Sequence, residues 1–374
     1  MPLRVLHVFR TYLPDTRGGV QEVIRQVCLS TAALGVENRV FVPSASPVPR
    51  ELEGEGALTV RVKLNFEIQS CGFCLTGIQE FRRQVAWADL VHYHFPWPFQ
   101  DVMHFIGGVK KPTLVTYHAD IVRQRSLLLL YAPLLNCFLN SVDCIVATSD
   151  EYARSSPYLG PRMEKVKVIP LALDEKAYPV VSDVRLAEVR AQFGEGFFFF
   201  VGMLRYYKAL HILVDAARQA RDCRVVIAGA GPMEISLRAQ AQDLGCQNVT
   251  FAGAIDDETR AALFSLSRGV VFPSFLRAEA FGVTLLEGAM YGKPLITAAS
   301  DTGTSYVNRQ GETGLVVPPS DPAALADAMS QLNGDPDLAT RLGAGARARF
   351  DRLFTAGVMG ARYLETYERL VEPA

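Results

Sequence analysis

The sequence predicts an α/β protein built from two doubly wound, Rossmann-like domains. Three observations predict it. Short β-branched runs alternate with helical stretches of about 10–15 residues, the rhythm of parallel sheets covered by helices on both faces. The runs form two series, interrupted by an irregular stretch at 171–196. The chain has 374 residues, more than one core usually organises.

The first series of strands is "LRVLHVF" (3–9), "NRVFV" (38–42), "DLVHYH" (89–94), "PTLVTYH" (112–118), "CIVATS" (144–149) and "KVKVIP" (165–170). The second is "FFFFVG" (197–202), "RVVIAG" (224–229), "NVTFAG" (248–253), "GVVFPS" (269–274), "PLITA" (294–298) and "TGLVVPP" (313–319). Between them "DEKAYPVVSDV" (174–184) carries Pro179 and mixed polarity and reads as a linker. The expected domains are therefore 1–175 and 176–355. A last amphipathic helix, "AGVMGARYLETYERLVE" (356–372), caps one of them, with a return of 356–374 to the first domain as one arrangement. No repeat of about 20–50 residues and no low-complexity segment interrupts this plan.

Composition excludes several classes. Hydrophobic content of 49% and charged content of 21% suit a globular protein. A net charge of −1 provides no basic field for nucleic acid. The most apolar stretch, "LLLLYAPLLNCFL" (127–139), is too short to span a bilayer and is broken by Pro133 and Asn136. "MPLRVLHVFR" lacks the apolar region of a signal peptide and reads as a first strand, so a cytoplasmic location is expected. Seven scattered cysteines fit a reducing compartment. Cys71 and Cys74 form a lone CxxC and read as small apolar residues.

Open parallel sheets bind ligands at the carboxyl ends of their strands, and unusual residues follow several strands here. In "FFFFVGMLRYYKALHILVDAARQA" a helix begins near Lys208 without a Ser, Thr, Asp or Asn cap. Its first amides lack acceptors, and Arg205 and Lys208 stand at the positive end of its dipole. A bound diphosphate resolves both oddities; a solvated surface loop is the plainer alternative. In "FLRAEAFGVTLLEGAMYGKPLIT" the glycine Gly282 permits close backbone approach. Val283 and Thr284 then offer helix amides to phosphate, and Glu287 lies inside the helix where a carboxylate can accept two bonds from a ribose diol. Glu279, before the helix, is placed to bind sugar hydroxyls. The plainer reading is a dipole-complementing Glu and an exposed Glu.

In "RTYLPDTRGGVQEVIRQV" Gly18 and Gly19 open a helix, either to admit a substrate or as a plain turn. In "VTYHADIVRQR" His118 follows a strand, with Asp120, Arg123 and Arg125 behind it. It either bonds a substrate hydroxyl or is structural. The aromatics of "VHYHFPWPF" (91–99) suggest a sugar-stacking platform; a metal site on its two histidines has no third ligand nearby in sequence. "VVIAGAGPMEI" offers Gly229 and Gly231 as a nucleotide edge, but Glu234 fills the third glycine position of a dinucleotide loop. "AIDDETR" (254–260) reads as a helix cap with an acidic first turn rather than a metal motif.

Taken together, these residues resemble the retaining glycosyltransferases of family 4 over essentially the whole chain. The spacing Glu279-x7-Glu287 is the strongest element. The resemblance implies the GT-B fold, two Rossmann-like domains facing a cleft, with the acceptor side at 1–175 and the nucleotide-sugar side at 176–355. It implies that Glu279 contacts the donor sugar and Glu287 the ribose. Phe281, Gly282, Val283 and Thr284 hold sugar and phosphate, and Lys208 pairs with the diphosphate. The Gly18–Gly19 loop lies between donor and acceptor, and His118 near the donor sugar. Two positions depart from the family. Met203 stands where an Arg is usual, a role that Arg205 is expected to take, and Ala172 replaces a glycine.

"VHYHFPWPF", "TYHADIVRQR" and "LRYYK" look most like bacterial enzymes of lipopolysaccharide and O-antigen synthesis, which implies GDP-mannose or GDP-rhamnose as donor and a lipid-linked glycan as acceptor. The expected reaction is retaining hexosyl transfer without a metal or other cofactor, since two cations and a helix N-terminus answer the leaving diphosphate. A UDP-sugar donor, a nucleotide-sugar epimerase, an NAD-dependent oxidoreductase and a non-catalytic sugar-binding protein are the alternatives. Residues 1–170 hold 18 Lys+Arg and 15 Asp+Glu, the remainder 20 and 24. That split suggests peripheral contact of the first domain with anionic lipid at the inner face of the plasma membrane.

Overall fold

The computed structural model describes residues 2–372 apart from 17, 70, 122–124, 278 and 280. Arg123 thus lies outside the described residues, as does the side chain of Arg125. The chain forms two units, residues 1–172 with 356–374, and residues 173–355.

Unit 1 is built on an eight-stranded sheet. Its strands are β1 (Arg4–Val8), β2 (Glu37–Ser44), β3 (Glu51–Gly54), β4 (Ala57–Lys63), β7 (Leu90–Phe95), β8 (Thr113–Tyr117), β9 (Cys144–Ala147) and β10 (Val166–Val168). A separate hairpin pairs β5 (Phe66–Ile68) with β6 (Cys71–Phe73). The sheet order is β10-β9-β8-β7-β1-β2-β4-β3, parallel except for β3 against β4. The order reverses direction between β1 and β7, where Val5 pairs with Leu90 and His7 with His92. β7 and β8 are buried at every position, as strands covered on both faces must be.

The helix Ala356–Val371 belongs to this unit. Met359, Tyr363 and Tyr367 pack with Val5, Val27, Leu90 and Leu114 in one buried cluster. A side chain at Gly360 would press on the Ser30 backbone, so glycine there lets this helix lie close to the helix Gly19–Ala32.

Unit 2 carries a six-stranded parallel sheet of β11 (Phe198–Val201), β12 (Val225–Ala228), β13 (Val249–Gly253), β14 (Gly269–Phe272), β15 (Leu295–Ala298) and β16 (Gly314–Val317). Its order, β13-β12-β11-β14-β15-β16, is that of a Rossmann sheet, with the switch point between β11 and β14. The segment read as a linker is held in this unit: Glu175 pairs with Arg347, and Ser182 caps the helix Asp183–Phe193.

All twelve runs read as strands form strands. The additions are β3 to β6, between residues 51 and 73. They belong to antiparallel hairpins, and a reading tuned to the βαβ rhythm passes over them. The helix expected near Lys208 starts at Leu210, after a 3-10 turn at Tyr206–Lys208.

Candidate active site

Helix capping in unit 2 divides by place. The helices Asp183–Phe193, Asp257–Leu266, Gly303–Val307, Pro322–Gly334 and Pro336–Leu353 are capped by the side chains of Ser182, Asp256, Thr302, Asp321 and Asp335. The helices that follow β11, β12 and β14 have no side-chain cap. These three start at the carboxyl ends of the central strands, and two of them flank the switch point. Their free amides and positive dipole ends suit an anion. The cap of Leu210–Gln219 is Ala209 at φ 52°, and that of Val283–Met290 is Gly282 at φ 84°. At Gly282 this left-handed backbone favours glycine.

Lys208 and Glu279 meet beside these helix starts. They form an ion pair, with only 13% and 12% of their side chains exposed. The ammonium also lies 4.7 Å from the centre of the Phe272 ring, and Ser274 ties its turn down by donating to the Tyr207 carbonyl at 2.6 Å. An ammonium has three donors, so Lys208 keeps capacity for an incoming anion while Glu279 holds it in place. Arg205 is different. It is exposed, and its Nε lies 2.9 Å from Sδ of Met203, itself 53% exposed.

Glu287 is 4% exposed. Tyr178 donates its hydroxyl to Oε1 at 3.1 Å, and Arg260 forms an ion pair at 3.5 Å. Burial pushes this carboxyl above the usual glutamate range, and Arg260 and the Tyr178 hydroxyl pull it back in part. Sequence reasoning missed both partners. Tyr178 sits in the stretch read as a linker, with no local signal. Arg260 closes "AIDDETR", whose Asp256 does cap its helix, accepting from the Thr259 amide at 2.6 Å.

The remaining candidates in unit 2 separate by what the fold itself requires. A methyl at Gly229 would overlap the Gly202 carbonyl oxygen, and one at Gly231 would come 2.6 Å from that of Leu204. Packing of the β11 and β12 ends therefore explains both glycines, whatever binds there. Phe281 is buried, its ring set edge-on to Phe354 at 6.1 Å. Thr284 donates to the Val201 carbonyl at 2.9 Å and anchors the helix start to β11. Val283 stands partly exposed at the first helical position.

In unit 1 the fold does not demand glycine at 18 or 19. Gly18 has an extended backbone, φ −178°, and a methyl there meets chiefly the end of the Gln21 side chain. A methyl on Gly19 would meet nothing within 4 Å. His118 is buried just past β8, and one ring nitrogen lies 3.1 Å from His94.

Two readings of "VHYHFPWPF" change. Tyr93, Phe95 and Trp97 are wholly buried, Phe95 stacking on Tyr117 at 4.3 Å, so they form core rather than a sugar platform. The third histidine missing in sequence arrives from β1: ring nitrogens of His7, His92 and His94 lie within 4.8 Å of one another. Each ring nitrogen of the three is already hydrogen-bonded, to Asn38, Thr116, Tyr367 or another histidine, so none is spare for a metal. Cys71 and Cys74 are free thiols, and burial pushes Cys74 up to about 12.

Both halves of the chain match family models. That for "Glycosyl transferases group 1" matches residues 187–349 and that for "Glycosyltransferase Family 4" residues 17–177. The chain is 51% identical over 354 residues to the D-rhamnosyltransferase WbpZ of Pseudomonas aeruginosa, covering 95% of this chain and 93% of that one. It is 44% identical over 370 residues to the O-antigen chain mannosyltransferase C of Escherichia coli, covering 99% of each. The Anabaena HepE protein, solved with UDP and glucose, superimposes with a TM-score of 0.77 at 18% identity, over 98% of this chain and 100% of that one. Two Rossmann-like units, the paired carboxylates of unit 2 and these relatives identify the chain as a member of glycosyltransferase family 4, a glycosyltransferase of the GT-B fold.

Proposed function

We propose that the protein transfers a hexosyl group, mannose or rhamnose, from a GDP-linked donor to a hydroxyl of a growing lipid-linked polysaccharide such as O-antigen. The observation that carries the chemistry is the Lys208–Glu279 pair beside two uncapped helix starts at the switch point of unit 2. The choice of sugar and acceptor rests on the names of the two relatives at 51% and 44% identity.

In this reading the diphosphate lies against the free amides of Val283 and Thr284 and accepts from Lys208, with Arg205 turning in from Met203. Glu279 accepts from sugar hydroxyls. Glu287 accepts from the ribose, held for it by Tyr178 and Arg260. His118 meets the donor sugar. The bond from the anomeric carbon to the phosphate oxygen breaks, and its electrons leave with the diphosphate. The acceptor oxygen bonds to the same face of that carbon, and its proton passes to the departing phosphate oxygen. Configuration is retained. Protein cations and helix dipoles stabilise the leaving charge without a metal.

Unit 1 carries the acceptor side, and we assign it peripheral contact with anionic membrane at the cytoplasmic face. Leu129 and Leu130 stand almost fully exposed on its helix Arg125–Ser141, and none of the described helices is long and apolar enough to cross a bilayer. A thermal-shift panel of GDP, UDP, ADP and dTDP tests the donor, because a ligand that binds only the native state raises apparent stability. GDP is expected to give the largest shift; a larger shift with UDP overturns the choice of base. Proton NMR of the first product, before it equilibrates, tests retention.

A further inference from the structure

Four histidines lie buried at the switch point of unit 1: His7 on β1, His92 and His94 on β7, and His118 after β8. Three of them form a line. His7 Nδ1 lies 3.1 Å from His94 Nε2, and His94 Nδ1 lies 3.1 Å from His118 Nε2. The rings stack nearly parallel, with centres 5.4 and 5.3 Å apart.

The line has a fixed sense because of how it begins. Nδ2 of Asn38 donates to the carbonyls of Cys28 at 3.0 Å and Gly56 at 3.2 Å. Carbonyl oxygens only accept, so the amide cannot be turned over. Its oxygen therefore faces His7 Nε2, 3.2 Å away, and that nitrogen must carry the hydrogen. A neutral imidazole has one N–H and one bare nitrogen. Burial keeps these rings neutral, with His7 lowered to about 4 and His118 to about 3. His7 Nδ1 is then bare and accepts from His94 Nε2. His94 Nδ1 is bare in turn and accepts from His118 Nε2. The line ends on Nδ1 of His118, which is left bare and bonds to none of the described residues.

We propose that Asn38, His7 and His94 are positioning residues that lock His118 in its Nε2–H form, so that Nδ1 is an obligate acceptor for a hydroxyl of the substrate. The hydroxyl-acceptor part rests on the proposed function, in which His118 meets the donor sugar. The locked form does not. A neutral sugar hydroxyl matches a bare nitrogen; a carboxylate or phosphate oxygen meets it lone pair to lone pair. The arrangement favours an uncharged hexose at this point.

The test is long-range proton–nitrogen NMR of the full chain labelled at histidine, at pH 7.5, with transfer kinetics of two variants. In the native protein His118 should show Nε2 protonated and Nδ1 bare. His94→Leu can neither donate nor accept. It should release the tautomer and lower kcat/KM for transfer about tenfold, roughly one lost hydrogen bond. His94→Gln can donate to His7 and accept from His118, and should recover activity to within about threefold of the native enzyme, well inside one such bond. Affinity for the nucleoside diphosphate alone, measured by calorimetry, should not move in either variant. A proton on Nδ1 of native His118 overturns the lock and leaves its place at the sugar standing. That spectrum decides even if His94→Leu does not fold. A locked tautomer with His118→Ala at full activity overturns the acceptor role and the proposed placement of His118 together.

Discussion

Acid should unfold unit 1 at a pH where unit 2 still stands. The native pKa of His7 is lowered to about 4 and that of His118 to about 3, both by burial. In the unfolded chain a histidine titrates near ~6.5. Between these values the unfolded state binds more protons than the native one. The stability of the neutral, buried rings is therefore complete above about pH 6.5 and is lost as pH falls toward the native values. From pH 7.5 to 5 each of these two groups removes about 2 kcal/mol. His92 and His94 are lowered well below the ordinary value and act in the same direction. Asp101, raised well above the ordinary value by burial, acts against them. The sum is a large part of a domain's usual ~5–15 kcal/mol. The assay is built into the chain, since its two tryptophans, Trp87 and Trp97, both lie in unit 1. Urea melts followed by tryptophan fluorescence should give midpoints that fall steeply from pH 7 to 5. Far-UV circular dichroism should resolve a second, less sensitive transition, because the one histidine of unit 2, His211, lies on the surface. A tryptophan midpoint that is flat from pH 7.5 to 5 would refute the neutral histidine cluster.

Calorimetry with the nucleoside diphosphate should show Glu287→Gln weakening binding more than Glu279→Gln, because the ribose is present in that ligand and the sugar is not; equal losses would undo the assignment. Lys208→Ala and Arg205→Ala should each lower kcat by about 10²–10³, the usual effect of removing one preorganised donor to a developing charge, and Met203→Arg placed on Arg205→Ala should restore part of it. A loss below about threefold for Arg205→Ala, far under that range, would leave Lys208 acting alone. Transfer should survive EDTA; loss on chelation that Mg²⁺ or Mn²⁺ restores would contradict the metal-free reaction. Gly229→Ala should destabilise unit 2 by more than about 3 kcal/mol, through a backbone clash at a positive φ. Gly19→Ala should keep or raise stability by up to about 1 kcal/mol yet slow transfer, and a Gly19→Ala enzyme of full activity would show that loop to be a plain turn.

The parallel strands were legible because each is an apolar run followed by a helical stretch, a pattern that survives in one dimension. Strands β3, β5 and β6 were not, because they are three or four residues long, partly exposed and paired antiparallel, and β4 was missed with them because a hairpin with β3, not a helix, leads into it. Within the site, residues that act through their own loop were readable: the uncapped turn before Leu210 and the glycine before Val283 announce themselves locally. Partners brought together by folding were not. His7 is 85 positions from His92, and only the β1–β7 register makes them neighbours. Tyr178 is 109 positions from Glu287. The aromatics around Trp97 misled for a related reason. Their spacing is the same whether they face a sugar or a core, and burial alone decides.

The helix Ala356–Val371 also bears on how the protein is made. A ribosome delivers residues 1–172, then all of unit 2, and only afterwards the helix that completes unit 1. Tyr363 and Tyr367 on that helix bond to Thr116 and His92 in the heart of the first sheet. Until they arrive, Nδ1 of His92 lacks its partner and an apolar face stays open. Every strand and helix of unit 2 precedes that helix in the chain, so the second unit in sequence is the first to have all of its own parts. Released chains truncated before residue 356 should carry a folded unit 2 and an unfinished unit 1. The order of assembly thus withholds a finished unit 1 until the helix Ala356–Val371 has been made.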